Sequence, residues 1–404
     1  MRLRDLCLVE NPFPPSGTGL ELRPQESGYF PGSTITKLVE NIKKLRTNPT
    51  EKTFSVIGDY GTGKTSFLNN AVKEELTSHN YKVFNFQNPG VQLYDLANTL
   101  LRGIGRVEFA KGLFELVRVG LIGGTFHQYL SVDEQKDALS FSGWIEQAKD
   151  KEKRRKMIQK LQFAIRNSNY NFTDDDEIAN KLARLIIETR ERSYFDYRDF
   201  VSGKGSYVAE KEEPKYFRAL IKVLKELYNC DGIAFVIDEF EDVIAHSRMP
   251  VFKQADYLRT LRHLIDLSKE EAFWLVVAMT PRSVGDLEQN EPALYQRLGP
   301  DSPYSIFLGD LNEKDINGII RFYINIRGRD EKCDQKHSGL FPFPENFGEI
   351  IKETNSDLTL HQIIKLAHFL IAMAISEENV KIPLNRTYIA STIEEVYPGK
   401  VRYE

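Results

Sequence analysis

The segment that most constrains the fold of this chain is Gly58-Asp59-Tyr60-Gly61-Thr62-Gly63-Lys64-Thr65. It follows an apolar run, residues 54–57, and precedes an amphipathic stretch, so it lies where a strand passes into a helix. The spacing G-x-x-x-x-G-K-[ST] is typical of a phosphate-binding loop, because glycines let successive backbone N–H groups curl around an anion. The pattern therefore predicts an α/β fold with a nucleotide site at this turn.

Each part of the loop has a predicted role. Lys64 would neutralise the outer phosphates, and the hydroxyl of Thr65 would bind Mg²⁺. The helix that follows would direct its positive end at the same anion. The alternative is a glycine-rich turn that only joins strand and helix. The predicted contacts with ATP are Gly58, Asp59, Tyr60, Gly61, Thr62, Gly63, Lys64, Thr65 and Ser66.

A second apolar run, residues 232–237, ends in Asp238 and Glu239. Such a run fits a strand buried on both faces of a parallel sheet, and ligands bind at the carboxyl ends of these strands. Asp238 would hold Mg²⁺ through water, and Glu239 would polarise an attacking water. The alternative is that this pair caps a following helix. Glu241 and Asp242 are interpreted as a solvated or N-terminal helix turn rather than as a second catalytic pair.

Length and composition exclude several classes of protein. A chain of 404 residues with 41% hydrophobic content exceeds the usual size of one domain. Its net charge of −4 gives no global attraction to nucleic acid or to an anionic membrane. The three cysteines are far apart in sequence, which argues against a disulfide scaffold or a zinc site and favours a reducing compartment. No stretch is apolar enough for a membrane span, so we expect a cytoplasmic protein.

Changes of pattern along the chain predict three parts. Residues 1–33, rich in Pro and Gly, would form an extended lead-in that wraps the core and either covers an adenine or simply packs there. Residues 34–310 would form the α/β core, interrupted by a helical insertion over 103–229. Residues 311–404 would form a helical lid. The predicted fold is a parallel sheet flanked by helices, with a helical insertion and a C-terminal all-α lid domain.

Two charged runs lie within the predicted insertion. The basic run 149–156 would either meet phosphates of DNA or RNA or form a solvated helix face, and its mixed charges favour the solvated face. The acidic run 174–177 precedes a stretch of helical periodicity. We interpret it as a first helical turn rather than as a metal site.

Two residues downstream are further candidates for the site. Thr280 follows the apolar run 273–279, and a polar residue at that strand end would read the γ-phosphate. The alternative is a threonine that ends a strand before a proline. Arg297 lies at the end of a short predicted helix, from which it would stabilise charge on the nucleotide of a neighbouring subunit. A local salt bridge is the alternative for Arg297.

In this order the phosphate loop, the Asp-Glu pair, the polar strand end, the arginine and the lid resemble the AAA+ class of P-loop ATPases. The lead-in Asn11-Pro12-Phe13 and the lid are similar to the Orc/Cdc6-like and STAND-like branch, and residues 232–298 are similar to P-loop ATPases of BREX-type phage defence. The resemblance implies an ATP/ADP-driven switch that assembles as a homo-oligomer or hetero-complex. Where relatives carry Gly-x-x-Arg in the lid, this chain has residues 355–361 without arginine, which implies slow or partner-triggered hydrolysis.

Three functions remain open from the sequence. The first is the ATP-dependent switch, with Glu239, Lys64, Thr280 and Arg297 as catalytic residues. The second is a scaffold that binds nucleotide without hydrolysing it and recruits another protein. The third is a DNA-stimulated loader or remodeller, based on the basic run. A small-molecule kinase fits less well, because the Asp-Glu pair suits attack by water.

Overall fold

The computed structural model describes residues 3–17, 32–48, 52–86, 93–123, 141–188, 206–240, 251–270, 273–330, 339–377 and 380–397. Within these ranges five parallel strands form one sheet: β1 Thr53–Gly58, β2 Tyr81–Phe86, β3 Gly232–Ile237, β4 Phe273–Met279 and β5 Ile306–Leu308. They lie in the order β2-β3-β4-β1-β5, so β4 separates β1 from β3. Ile57 pairs with Met279, and Ile237 pairs with Val277. The carboxyl ends of β1, β3 and β4 therefore meet at one edge of the sheet.

Helices cover both faces of this sheet. One face carries α1 Gly32–Thr47 and α2, which consists of Lys64–Phe67, the π-helical turn Leu68–Val72 and Lys73–Ser78. The hydrophobic cluster at the other face includes residues of α3 Leu93–Ile104, α4 Arg106–Gly123, α5 Phe141–Gln147, α6 Lys151–Arg166, α7 Asp176–Ile187, α8 Ser206–Leu227, α9 Val251–Glu270, α10 Pro281–Asn290 and α11 Pro292–Leu298. The predicted α/β fold with a flanked parallel sheet is confirmed.

The strands are apolar throughout because they are buried on both sides. In β3, Ala234 and Val236 pack toward α1 and α2, whereas Ile233, Phe235 and Ile237 pack into the opposite cluster. This alternation follows from the period of two residues in a strand. β4 is buried at every position in the same way.

Of the helices over the predicted insertion, α8 contacts β3, whereas α4, α6 and α7 contact one another. Leu113 of α4, Leu161 of α6 and Leu182 of α7 belong to the same hydrophobic cluster as one face of the sheet. The acidic run supplies the start of α7, since the side chain of Asp175 accepts hydrogen bonds from the N–H groups of Glu177 and Ile178. The interpretation of this run as a first helical turn is confirmed.

The C-terminal part is helical and has a core of its own. It contains α12 Glu313–Tyr323, which continues into the π-helical turn Ile324–Gly328, and α13 Phe347–Thr354, α14 Leu360–Ser376 and α15 Arg386–Val396. These elements supply most of one hydrophobic cluster that is separate from the two clusters at the sheet.

The N-terminal segment 3–17, which is the described part of the predicted lead-in, packs on these C-terminal helices. Leu6, Leu8 and Phe13 are at most 1% exposed and belong to the C-terminal cluster. Two side-chain hydrogen bonds join the segment to α14: Asn11 Nδ2 donates to the carbonyl of His368 at 3.1 Å, and His368 Nδ1 lies 2.7 Å from the carbonyl of Phe13. Its apolar anchors thus complete the C-terminal core.

Cys7 is disulfide-bonded, although the wide spacing of the cysteines argues against a disulfide scaffold, and Cys230 is a free thiol. Distance along the sequence gives little information on which cysteines meet in the fold. Over the part of the chain that the structure describes, no helix is both long and apolar enough to cross a membrane.

Candidate nucleotide-binding site

The predicted phosphate loop joins β1 to α2, and its glycines are needed for two reasons. Gly61 and Gly63 have φ angles of 79° and 90°, a left-handed region that glycine enters without steric cost. Gly58 is required by close packing, since a Cβ there would lie 2.6 Å from Thr62 Oγ1 and 2.8 Å from the carbonyl oxygen of Leu308. The loop therefore has the backbone freedom that a phosphate cradle needs.

Lys64, the first residue of α2, folds back over the loop. Its side chain is only 8% exposed, and Nζ donates to the carbonyls of Gly58 at 2.9 Å and Asp59 at 3.3 Å. Charged phosphate oxygens are stronger acceptors for an ammonium than neutral carbonyls. An anion in this loop would also meet the positive end of α2. Lys64 is thus placed to exchange main-chain partners for phosphate.

Thr65 and Asp238, the two predicted magnesium ligands, line the same cavity. Its volume is about 310 Å³, and it is also lined by Leu68, Asn69, Asn85, Phe86 and Val236. Thr65 is exposed near the start of α2, whereas Asp238 is 8% exposed directly after β3. The structure therefore brings together two segments that are more than 170 positions apart in sequence.

This pair fits Mg²⁺. The ion prefers oxygen ligands, and proteins usually supply one or two of them and leave the rest to water and substrate phosphates. When bound, Mg²⁺ would neutralise charge on the phosphates.

Glu239 has a strained backbone. Its φ angle is 55°, its side chain is exposed, and its N–H donates to Asp238 Oδ1 at 2.9 Å. The next residue, Phe240, donates its N–H to the carbonyl of Ala278 in β4 at 3.3 Å. Left-handed backbone is unfavourable for a residue with a Cβ and often occurs at functional sites. The bend separates the exposed Glu239 from the buried Asp238 at the edge of the sheet.

Thr280 and Arg297 make the local contacts that their alternatives predict. Thr280 is 2% exposed and caps α10, since Oγ1 accepts from the N–H of Ser283 at 3.3 Å. Arg297 Nη1 donates to Asp266 Oδ1 at 3.1 Å, and Asp266 also binds Lys269. Burial would raise the pKa of Asp266, but these two cations outweigh it and lower that pKa below its ordinary value. The roles of Thr280 and Arg297 toward a nucleotide stay predictions.

Two asparagines in the cavity were missed from the sequence. Asn85 Nδ2 donates to Asn69 Oδ1 at 2.5 Å, across the wall that also holds Thr65 and Asp238. Two signals were present. Asn85 is a polar residue near the carboxyl end of an apolar strand, and Asn69 follows Thr65 by four positions, which places both on one helix face.

The C-terminal helices also reach the loop. The N–H of His361, in the first turn of α14, donates to the carbonyl of Gly61 at 3.0 Å. The sequence drew attention to residues 355–361 only because they lack an arginine. This contact is made by main-chain atoms, so the identity of the residues does not predict it.

The parallel sheet, the glycine loop and the acid pair together define a P-loop type of α/β fold. No family model matches the chain, and no curated protein matches it. Solved structures that are similar to it include the Aeropyrum pernix ORC2 protein in its ADP form, with 10% identity, a TM-score of 0.42, and coverage of 96% of this chain and 73% of that one. The ORC2 protein with ADPNP and ADP has 10% identity and a TM-score of 0.43, and the match covers 98% of this chain and 74% of that one. The Aeropyrum pernix ORC1 protein in complex with DNA has 12% identity and a TM-score of 0.39, with coverage of 93% and 68%.

Similarities this weak support no conclusion about function. The resemblance to BREX-type ATPases stays a prediction from the sequence.

Proposed function

We propose that this chain is an AAA+-type switch that binds ATP with Mg²⁺. The observation that supports it best is the cavity shared by Thr65 and Asp238, next to a loop whose glycines leave its backbone open to a phosphate. Lys64 would hold the outer phosphates, and Thr65 and Asp238 would hold the ion. Neither motif alone is sufficient to support nucleotide binding, because a glycine-rich loop can simply join a strand to a helix and an acidic strand end can simply cap a helix.

We further propose that Glu239 orients the water that attacks the γ-phosphate. Its exposed position beside a buried carboxylate supports this role. Turnover would be slow, because no arginine occurs at residues 355–361. Thr280 would sense the γ-phosphate only if it gives up its cap on α10. Arg297 would act on the nucleotide of a neighbouring subunit only if it gives up its ion pair with Asp266. A switch of this kind would change its homo-oligomeric or partner-bound state with the nucleotide.

A nucleotide-dependent scaffold is the second candidate function. It is favoured by the same two residues, since a capping Thr280 and a paired Arg297 leave fewer groups to support hydrolysis. We also propose the division of the chain into a lead-in over 1–33, a core over 34–310 with an insertion over 103–229, and a lid over 311–404. The proposed location is the cytoplasm, and the proposed biological role is in phage defence.

DNA is a further partner that we propose, through α6. This helix contains seven cationic residues and one carboxylate, in a chain with a net charge of −4. Lys151, Lys153 and Arg155 are exposed, and Phe163 on the same helix is 52% exposed. Exposed cations suit a phosphate backbone, and an exposed aromatic ring two turns further along the same helix offers a face for an unstacked base. DNA bound there would stimulate the ATPase.

Titration calorimetry with ATP and Mg²⁺ tests the proposal, together with a steady-state ATPase assay. We expect the unaltered chain to bind ATP and to hydrolyse it slowly. Lys64→Ala should abolish both, because the ammonium is the cationic group of the loop. Glu239→Gln should keep binding and lower turnover about 100-fold or more, the range for loss of a general base.

The results separate the candidates. Binding without turnover in the unaltered chain would favour the scaffold. Absence of binding would reject both functions, and turnover that survives Glu239→Gln would remove Glu239 from its role.

A further inference from the structure

The first turn of α14 lies directly over the two left-handed glycines of the loop. A Cβ built on Gly61 would be 3.0 Å from His361 Cβ and 3.2 Å from Thr359 Oγ1. A Cβ on Gly63 would be 3.0 Å from Leu360 Cδ2. These glycines therefore serve the approach of the C-terminal helices as well as the curvature of the loop.

The loop also completes the hydrogen bonding of this helix end. The first N–H groups of a helix have no partner within the helix. Thr359 caps the N–H of Gln362 with its side chain, and the carbonyl of Gly61 accepts from the N–H of His361. The start of α14 is thus satisfied partly by the phosphate loop.

The bond from His361 fixes the direction of an amide inside the loop. A trans peptide is planar, so its C=O and N–H point in opposite directions. When the carbonyl of Gly61 faces His361, the N–H of Thr62 in the same peptide faces the interior of the loop. There it makes a long bond of 3.3 Å to the carbonyl of Asp59, which a phosphate oxygen can replace.

The N-terminal segment holds His361 from the other side. Gly17 has a φ angle of 71°, and a Cβ there would lie 2.6 Å from the carbonyl oxygen of His361 and 3.1 Å from its Nδ1. Gly17 is buried, and its segment is anchored on α14 through the hydrogen bonds to His368. His361 is therefore packed between Gly17 and Gly61.

We propose that residues 359–361 are a latch on the phosphate loop, with His361 as a positioning residue that acts through its main-chain N–H. The latch keeps the amide of Thr62 directed at the phosphate. Nucleotide affinity and the docking of the C-terminal helices are then coupled, and the coupling is reciprocal. This inference rests on the proposed nucleotide site, and it adds that the N-terminal segment controls affinity through Gly17.

Substitution of Gly17 by alanine tests the latch. The new Cβ would collide with the carbonyl oxygen of His361, so Gly17 and the start of α14 cannot both keep their positions, and the bond from His361 to Gly61 is distorted. Gly105→Ala is the matched control: its φ angle is 96°, but the nearest atom to its Cβ is a side-chain carbon of Glu108 at 3.7 Å. Both variants carry the same kind of backbone strain, and only Gly17→Ala displaces the latch.

We expect Gly17→Ala to weaken binding of Mg-ATP about fivefold relative to Gly105→Ala, the usual effect of one lost hydrogen bond. The change should appear in KM, with kcat close to that of the control. In the unaltered chain, ATP should slow hydrogen exchange at the amide of His361, and Lys64→Ala should remove this protection.

Two outcomes would overturn the latch while leaving the nucleotide site intact: equal affinities of the two alanine variants, or exchange at His361 that ATP does not change. Failure of the unaltered chain to bind ATP would instead reject the proposed function itself.

Discussion

The strained backbone at Glu239 predicts that this position costs stability. A residue with a Cβ loses about 1–2 kcal/mol in the left-handed conformation, and glycine avoids this loss. Glycine in turn loses about 0.5–1 kcal/mol of chain entropy on folding relative to alanine. The difference leaves Glu239→Gly more stable than Glu239→Ala by about 1 kcal/mol. Both variants lack the carboxylate, so the comparison isolates the backbone.

Urea denaturation of the two variants measures this difference. The same pair of substitutions at Asn171, which has a φ angle of 50°, should give the same sign. At Lys153, exposed within α6, glycine should instead be less stable than alanine by about 1 kcal/mol. If Glu239→Ala were as stable as Glu239→Gly while both controls behaved as described, the strain at this position would be absent. If Glu239→Gly were more stable than the unaltered chain but had lost turnover, the strained backbone at this position would be a cost in stability that the chain retains for function.

Three further predictions concern residues with local partners. Thr280→Val should have a free energy of unfolding about 1 kcal/mol lower than that of Thr280→Ser, because serine can cap α10 and valine cannot. A comparison of the turnover of these two variants tests the sensor role of Thr280. The lowered pKa of Asp266 means that its ion pairs stabilise the fold above the ordinary value of 3.8 and that this contribution is lost as pH falls through the lowered pKa. Arg297→Ala should therefore reduce the loss of stability on acidification, and an unchanged pH profile of the thermal midpoint would contradict this. The double variant of α6 with Lys153→Glu and Arg155→Glu should lower the slope of log DNA affinity against log salt by about 2, whereas the same reversal at residues 43 and 44 of α1 should not.

The sheet was predictable because burial leaves a direct record in the sequence. The runs at 232–237 and 273–279 are apolar at every position, and the structure gives them as β3 and β4 with the same bounds. The phosphate loop was predictable because the left-handed φ angles of Gly61 and Gly63 need glycine. In both cases a local physical demand selects a residue type.

The contacts between distant parts could not be read in this way. The bond from His361 to Gly61 uses an N–H and a C=O, which nearly every residue has. The burial of Phe13 depends on helices about 300 positions later, and no spacing rule links the two. Asn69 and Asn85 each have a signal in the sequence, but none of these signals pairs the two residues.

The docking of the N-terminal segment has a consequence for synthesis of the chain. The carbonyl of Phe13 finds its partner His368 only 355 residues later. At ordinary ribosomal rates this interval lasts roughly 20 to 70 s. During that time Leu6, Leu8 and Phe13 have emerged but the surface that buries them has not been made. Until α14 has been translated, these three apolar side chains therefore lack the surface that buries them in the folded chain.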